Sequence, residues 1–396
     1  MPLIQLEQPE PIKTPPILRL GFRPFFYLAG LSGVLLLSVW LYSFFSGFSP
    51  SPYYNSTFWH AHEMVFGYTA AAIAGFLLTA VKNWTGIQTL RGYWLGEIVT
   101  LWLAARVLPF LDIHPLFAAS VSVAFFPFLA IAIGIPLIKS KNKTNWLFIP
   151  VILLIGTGDL LFQLSILGLM DISPMFGIHF SLHIIIILIV LMGARVIPFF
   201  ISRSTSTELP PLSRTIEILT YMSLTLWLVF SVFINTGELL AALFAGLAAM
   251  TQIVRLYRWH VKKLWSIPML WILYLGYCWI IIGLLLQAID PWFPSLPSLS
   301  THALTTGAIG MITLGMMSRV SLGHTGRQID HTRFLLIAFI LMASTPVIRV
   351  IWPLLFVEHY QYTILVSGTL WLLAFLLFTV VYTPVLWKAR IDGKDG

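Results

Sequence analysis

Long apolar stretches dominate this chain and leave few folds open to it. Of its 396 residues, 58% are hydrophobic and only 10% are charged. A helix needs about 20 mainly apolar residues to cross the hydrocarbon core of a bilayer, and stretches of that length recur along the sequence. We therefore predict an all-α, polytopic membrane protein with about twelve transmembrane helices. The predicted spans are 25–46, 59–81, 93–111, 115–138, 146–168, 175–200, 215–234, 236–256, 267–288, 300–321, 334–355 and 361–387.

The connectors between these spans alternate in charge. Lys and Arg follow the even-numbered spans, whereas the connectors after the odd-numbered spans carry no basic residue and mostly contain Asp or Glu. By the positive-inside rule, both termini are predicted to be cytoplasmic, as tails of residues 1–24 and 388–396 around one transmembrane domain of residues 25–387. The net charge of +8 is explained by this topology, so we expect membrane lipids and no nucleic acid among the partners.

Five of the ten histidines lie at the predicted outer edge of the membrane. They open the second, sixth and tenth spans, and imidazoles in lipid are costly unless they face the bundle interior and have partners. The pattern therefore predicts a buried metal or heme site. An imidazole-rich set without thiolates suits copper, iron or zinc, and a pair of imidazoles also suits heme. The five are His60, His62, His179, His183 and His302.

Spacing within the set carries further information. His179 and His183 lie four residues apart on one helix face, a spacing typical of two ligands to one metal; packing or hydrogen bonding is the alternative. His60 and His62 point away from each other on a helix, so they either serve two centres or sit in an unwound first turn. Glu63 beside them could orient an imidazole or handle protons.

A periodicity of four helices accompanies the histidines. Spans two, six and ten each begin with histidine at the outer edge and end with a basic residue among small residues. The chain is therefore predicted to form three four-helix repeats around a shared centre. The single cysteine, Cys278, excludes internal disulfides and a covalently attached c-type heme, but leaves a noncovalent b-type heme possible.

Two arginines break the charge rule on the outer side. Arg106 and Arg349 lie in the outward halves of spans three and eleven, and an intramembrane arginine is a functional candidate. Heme propionates would be suitable bidentate partners. The alternative is a structural ion pair with one of the neighbouring carboxylates of Asp112, Asp290 or Glu358.

Two further segments have open assignments. Asp159, near mid-membrane, could pass protons toward the outer site or satisfy a neighbouring helix end. The segment from Arg319 to Arg327, at the inner edge, could bind an anionic head group or a docking partner, or it could be a solvated loop that fixes topology.

At these residues the chain closely resembles the NnrS family of bacterial membrane proteins. The resemblance rests on RPFF at 23–26, WHAHEM at 59–64, AGFLLTA at 74–80 with NWTG at 83–86, GARVIPFF at 193–200, and HALTTGAIGM at 302–311 through SRVSLGHTGR at 318–327. The family often has Gly-Gly-Arg where this chain has Gly193–Ala194–Arg195. The resemblance implies a heme- and copper-containing protein of the bacterial inner membrane, linked to nitric oxide metabolism and nitrosative stress.

A looser, fold-level resemblance is to the catalytic subunits of heme-copper oxidases and nitric oxide reductases. It implies that His62 and His302 hold heme b, while His179 and His183, with His60, hold copper. The chain departs from that pattern, because span seven has no histidine and span ten has one outer histidine where that family has two. Since fold does not imply function, this remains an analogy.

The leading hypothesis is a heme- and copper-binding membrane protein that binds nitric oxide. Reduction of nitric oxide, which would make it an oxidoreductase, would also need protons and electrons, for which Glu63, Asp159 and a membrane quinol are candidates. The second hypothesis is a transporter or handling protein for heme or metal, with the histidines as a transit site. The third is a nitric oxide sensor or an assembly factor without turnover.

Overall fold

Helices account for all of the regular structure in the part of the chain that can be described. The structure, a computed structural model, describes residues 14–234, 237–293, 297–330 and 332–394. Within these residues there are twelve main helices and no strand, which confirms the predicted all-α fold. The first thirteen residues of the predicted N-terminal tail and the last two of the C-terminal tail lie outside the described ranges.

The observed helices match the predicted spans to within a few residues at each end. They are α1 Phe22–Ser46, α2 Ser56–Thr85, α3 Tyr93–Val107, α4 Pro115–Lys139, α5 Phe148–Ile166, α6 Pro174–Thr205, α7 Arg214–Val232, α8 Glu238–Trp259, α9 Pro268–Ile289, α10 297–324, α11 Arg333–Leu355 and α12 Tyr360–Trp387.

Ten of these helices, within the described residues, are long and apolar enough to cross a membrane. The exceptions are α3 and α10. Helix α3 has 15 residues, which span about 22 Å at the usual rise of an α-helix, and a 3₁₀ turn at Leu108–Phe110 extends it. Helix α10 is less apolar than the other long helices, because it contains many Gly, Ser and Thr residues. The ten candidate spans nevertheless support a multi-pass membrane protein.

Consecutive helices pack on one another, and α12 packs on α1, so the bundle closes into a ring. Helices α2, α6 and α10 line two cavities in the interior of this ring. Helix α2 is the most deeply buried of the ten candidate spans, with 83% of its most apolar stretch buried inside the bundle. These three helices thus share the walls of both cavities, whereas the organisation into three four-helix repeats around a shared centre stays a prediction.

Two central helices change their winding at the same place relative to a histidine. In α2, regular helix ends at His62 and π-helix runs over Glu63–Thr69; in α10, regular helix ends at His302 and π-helix runs over Ala303–Ile309. Each wide turn inserts an extra residue and shifts the helix face that follows. Short π-helical segments are frequent at functional sites, and both of these lie directly after a candidate ligand.

Candidate functional site

A cavity of about 340 Å³ lies between α2, α6 and α10, near the end of the bundle that carries His60, His179 and His302. We call this the histidine end of the bundle, and we call the opposite end, which carries the basic connectors, the basic end. The cavity is lined by His60, His179, His302 and Arg349, together with aromatic side chains of α1, α2 and α12, which are Trp40, Tyr68 and Trp371. The structure therefore brings three of the five candidate histidines to one cavity.

His60 and His62 belong to different surroundings. The ring of His60 lies against the cavity and stacks on Trp40, with 4.4 Å between ring centroids and 15° between the planes. His62, two residues further along a regular helical turn, is completely buried on another face of α2. The two side chains therefore have different neighbours, and a role for them at two separate centres stays a prediction.

His302 presents one ring nitrogen to the cavity. Its Nδ1 lies 2.6 Å from the carbonyl oxygen of Ser298, and because a carbonyl can only accept, Nδ1 donates that hydrogen bond. The lone pair is then on Nε2, which lies 3.5 Å from Arg349 Nη2. Donation of one ring N–H to a backbone carbonyl is the usual way in which proteins fix a ligating histidine.

Arg349 is buried beside His302 and is only partly satisfied. Its Nη2 donates to the Tyr360 hydroxyl at 3.0 Å, and the guanidinium lies 5.0 Å from the centre of that ring. The Nη1 atom is buried without a hydrogen-bond partner among the described residues. An unpaired guanidinium nitrogen at a cavity wall is costly, so the cavity is suited to an anionic group.

His183 does not line this cavity, although it lies one helical turn from His179. Its Nδ1 donates to the His179 carbonyl oxygen at 2.7 Å, and its ring lies 4.0 Å from the Trp227 ring on α7. Its Nε2 is buried with no partner among the described residues. The two histidines thus have different neighbours in the structure, and joint ligation of one metal stays a prediction.

His62 lies between two carboxylates. Its Nδ1 is 3.0 Å from Glu63 Oε1, and its Nε2 is 3.0 Å from Asp159 Oδ1 on α5. The amide nitrogen of Gln163 is 3.1 Å from the same Nε2 and donates to Asp159 Oδ1 at 3.2 Å. An imidazole donates from both nitrogens only when it is protonated, so the two carboxylate contacts suit an imidazolium.

Arg106 completes this buried set. Its Nη1 lies 3.2 Å from Glu63 Oε2 and its Nη2 donates to the Ser122 hydroxyl, which itself donates to Asp159 Oδ2 at 2.7 Å. The ion pair of Arg106 is with Glu63 and not with Asp112, Asp290 or Glu358, and a propionate partner stays a prediction. We call His62, Glu63, Arg106 and Asp159 the buried charge network.

With a proton on His62, the charges of this network cancel. Two carboxylates, one guanidinium and one imidazolium sum to zero, and all four side chains are at most 7% exposed. Moving unpaired ions out of water costs several kcal/mol each. Neutrality therefore explains why two acidic and two basic groups occur together here, and it favours a proton on His62.

Tyr54 closes the network toward the histidine end. Its hydroxyl donates to Gln163 Oε1 at 3.0 Å, and burial raises the pKa of this hydroxyl above its ordinary value. Sequence reasoning missed Tyr54 and Ser122, because a tyrosine before a helix and a serine within one are common and carry no spacing signal.

A second, smaller cavity lies further along α2, α6 and α10, toward the basic end. Its volume is about 90 Å³, and apart from Thr313 its lining side chains are apolar. The hydroxyls of Tyr68, which lines the larger cavity, and Thr313 form a hydrogen bond. This pair therefore lies between the two cavities.

The candidate ligands do not converge on one point. Across the described residues, no group of three or more His, Cys, Asp or Glu side chains is close enough to hold a single metal ion. Three imidazoles instead lie around a shared cavity, and the two candidate proton-handling carboxylates, Glu63 and Asp159, flank His62 outside it.

Comparison with known proteins supplies the family. No match was found among curated proteins. The family model described as "NnrS protein" matches residues 16–390, which includes all twelve helices and both cavities. Because this match covers nearly the whole chain, the protein belongs to the NnrS family, and this membership supports a multi-pass membrane protein of the nitric oxide response.

Proposed function

We propose that the protein binds heme and copper in the cavity at the histidine end, and that nitric oxide binds at this centre. One observation carries the proposal: His60, His179, His302 and Arg349, from four helices, line a single cavity of about 340 Å³. Family membership adds independent support for a role in the nitric oxide response.

The donor set of the cavity fits these groups. Imidazole nitrogens are good ligands for iron and for copper, and the bond from His302 Nδ1 to Ser298 orients the ring and leaves its lone pair on Nε2. The unpartnered Nη1 of Arg349 fits a propionate. Imidazoles spread around a cavity also suit a large group better than one bare ion. We assign His302 to heme iron, and His60 with His179 to copper.

The neighbouring side chains position these candidate ligands. Trp40 stacks on His60 and limits rotation of its ring. Tyr360 holds the guanidinium of Arg349 beside His302. When bound, heme and copper would supply the metal centre to which nitric oxide binds. Trp371 and other apolar side chains form part of the wall around that centre.

The buried charge network is proposed to hold a proton on His62. Glu63 and Asp159 accept from its two ring nitrogens, so the proton has a carboxylate on either side. Reduction of nitric oxide consumes protons and electrons, and these two carboxylates are the proposed proton-handling residues for such turnover. The electron donor, proposed to be a quinol, has no assigned site.

Transport of a metal is less well supported by the geometry. A metal ion that leaves the histidine cavity toward the basic end would meet the cavity of about 90 Å³, whose lining is apolar apart from Thr313. Losing its ligands there would be costly for a cation. Nitric oxide is small and apolar, so an apolar interior does not hinder it.

The proposed location is the bacterial inner membrane with both termini in the cytoplasm. The basic residues that follow even-numbered helices support this orientation. Single cysteines placed at Arg214 and at Asp171, in a Cys278→Ser background, test it with a membrane-impermeant thiol reagent. Labelling of the Asp171 site alone in intact spheroplasts is expected; labelling of the Arg214 site alone would reverse the orientation.

Optical spectroscopy tests the cofactor and its ligand together. Purified protein is reduced with dithionite, and its spectrum is recorded before and after addition of nitric oxide, with metal analysis of the same sample. We expect a b-type α band that changes with nitric oxide and that is lost in His302→Ala. His114→Ala, which removes an exposed imidazole from the start of α4, should leave the band unchanged. A colourless preparation containing only copper or zinc would contradict the proposal and favour metal transport.

A further inference from the structure

The smaller of the two central cavities has no part in the proposed heme and copper centre. Its volume is about 90 Å³, and α2, α6 and α10 supply most of its lining, together with Phe26 of α1 and Leu273 of α9. None of the residues that line it is exposed. Thr313, in this lining, lies roughly 15 Å beyond His302 along α10 by helical rise. The two cavities are therefore separate, although the same three helices form both.

The wall of this cavity offers almost nothing to a polar ligand. Among the described residues, Thr313 is the one polar side chain in the lining. Its hydroxyl donates to the Ile309 carbonyl oxygen at 2.7 Å, so it accepts the hydrogen bond from the Tyr68 hydroxyl. A buried water needs about two to four polar partners. The cavity therefore suits an apolar occupant, and not water, an ion or a polar cofactor.

The size of the cavity restricts that occupant to a small molecule. In another protein, an apolar cavity of about 150 Å³ stays dry and binds benzene or xenon. A volume of about 90 Å³ leaves no room for a quinone with its side chain or for a lipid acyl chain, whereas a diatomic gas fits. Met192, Met316 and Met317 form part of the wall, and unbranched methionine side chains adapt to the shape of what they contact.

We propose that this cavity is a docking site for a small apolar gas molecule, from which the gas reaches the histidine cavity past Tyr68 and Thr313. Tyr68 lines the histidine cavity and Thr313 lines the smaller one, so this hydrogen-bonded pair separates the two spaces. The identity of the gas as nitric oxide rests on the proposed function, whereas the docking site itself does not.

Crystals of the full-length protein pressurised with xenon test the docking site. Xenon is apolar, and its anomalous scattering locates it whether or not a cofactor is bound. We expect one xenon peak bounded by Ala72, Val196 and Ile312, which all belong to the lining. Ala72→Leu and Val196→Phe each enlarge one lining side chain, so the peak should be lost in both. A wild-type cavity without xenon, or one filled by a lipid or detergent chain, would overturn the proposal.

Val380→Phe is the matched control for Val196→Phe. It adds the same atoms to a side chain of α12 that is 64% exposed and lies outside the cavity lining. The xenon peak should therefore equal that of wild type. A peak that disappears in this control as well would mean that its loss in Val196→Phe has nothing to do with filling the cavity, and the proposal would fail.

Flash photolysis of the nitric oxide adduct tests the route between the cavities. We expect part of the released nitric oxide to return from the docking site in a slow phase that precedes escape to solvent. Ala72→Leu and Val196→Phe should lose this phase, while Val380→Phe keeps it. An unchanged phase in both lining variants would overturn the route. A colourless protein that still binds xenon at this site would refute the heme assignment and leave the docking site for an apolar gas standing.

Discussion

The Nε2 atom of His62 lies 3.0 Å from Asp159 Oδ1, although the two residues are 97 positions apart in the sequence. This contact joins α2 to α5 within the membrane-spanning bundle. It also gives His62 a second carboxylate besides its neighbour Glu63. Because the whole network is buried and its charges cancel, removing one carboxylate would leave an uncompensated positive charge.

Asp159→Asn is therefore expected to destabilise the fold. Breaking a buried ion pair by removing one partner costs about 3–5 kcal/mol, because the remaining charge stays buried. We expect a clearly lower midpoint of thermal unfolding in detergent. Asp171→Asn, at an exposed position after α5, is the control and should unfold as wild type does. Equal midpoints for all three proteins would show that the network is not charged as inferred.

His62→Gln distinguishes two assignments of the heme ligand. The looser resemblance implied that His62 holds heme with His302, but in the structure both ring nitrogens of His62 contact carboxylates. We expect His62→Gln to keep the b-type α band that His302→Ala loses. Loss of the band in a folded His62→Gln protein would instead support the pairing implied by resemblance.

The twelve helices could be predicted because each long apolar stretch can be read directly from the sequence. Some helix ends differ from the predicted ones by a few residues. Helix α3, for example, ends before the predicted residue 111, because Pro109 lies in a 3₁₀ turn where the last turn of the helix was predicted. Local chemistry of this kind affects helix ends but not helix number.

The site could be predicted only in part, because helix rotation decides which side chains meet. The sequence indicated that His60 and His62 diverge, but not that His62 would reach Asp159 on α5. The π-helix at Glu63–Thr69 was not predicted either. An extra residue in a turn breaks the 3.6-residue periodicity from which one infers the side chains that share a helix face. Nothing in the composition of this segment indicates that such a turn is present.

The C-terminal segment provides a test of pH dependence outside the membrane-spanning helices. Hydrogen bonds from the Arg390 guanidinium hold the pKa of the Asp392 carboxyl well below its usual range, while Arg390 also donates to the His324 carbonyl oxygen at 2.9 Å. A lowered pKa in the folded state means that this contact stabilises the fold above the ordinary pKa of Asp and is lost as the pH falls toward the lowered value.

We expect NMR titration of aspartate-labelled protein to show Asp392 still ionised at pH 3.5, where about half of the exposed aspartates are protonated. Arg390→Gln should return the midpoint of Asp392 to the ordinary range. The effect on overall stability should be small, because the pair is exposed to solvent. A midpoint that is ordinary in wild type would contradict the observed hydrogen bonds.

Glycine packing between α5 and α6 positions Asp159, and it leads to the sharpest prediction for the fold. A Cβ atom on Gly177 would overlap the Gly158 carbonyl oxygen and would lie 2.7 Å from the Phe162 backbone nitrogen. Neither backbone atom can move without separating the two helices. Gly177→Ala is therefore expected to destabilise the protein by about 1–3 kcal/mol or more, despite the better helix propensity of Ala. In Gly134→Ala the nearest atom would be Ile149 Cδ1 at 3.4 Å, so this control should be neutral or stabilised by up to about 1 kcal/mol. Thermal unfolding of both variants in one detergent measures the difference, and equal midpoints would mean that α5 and α6 are not in backbone contact.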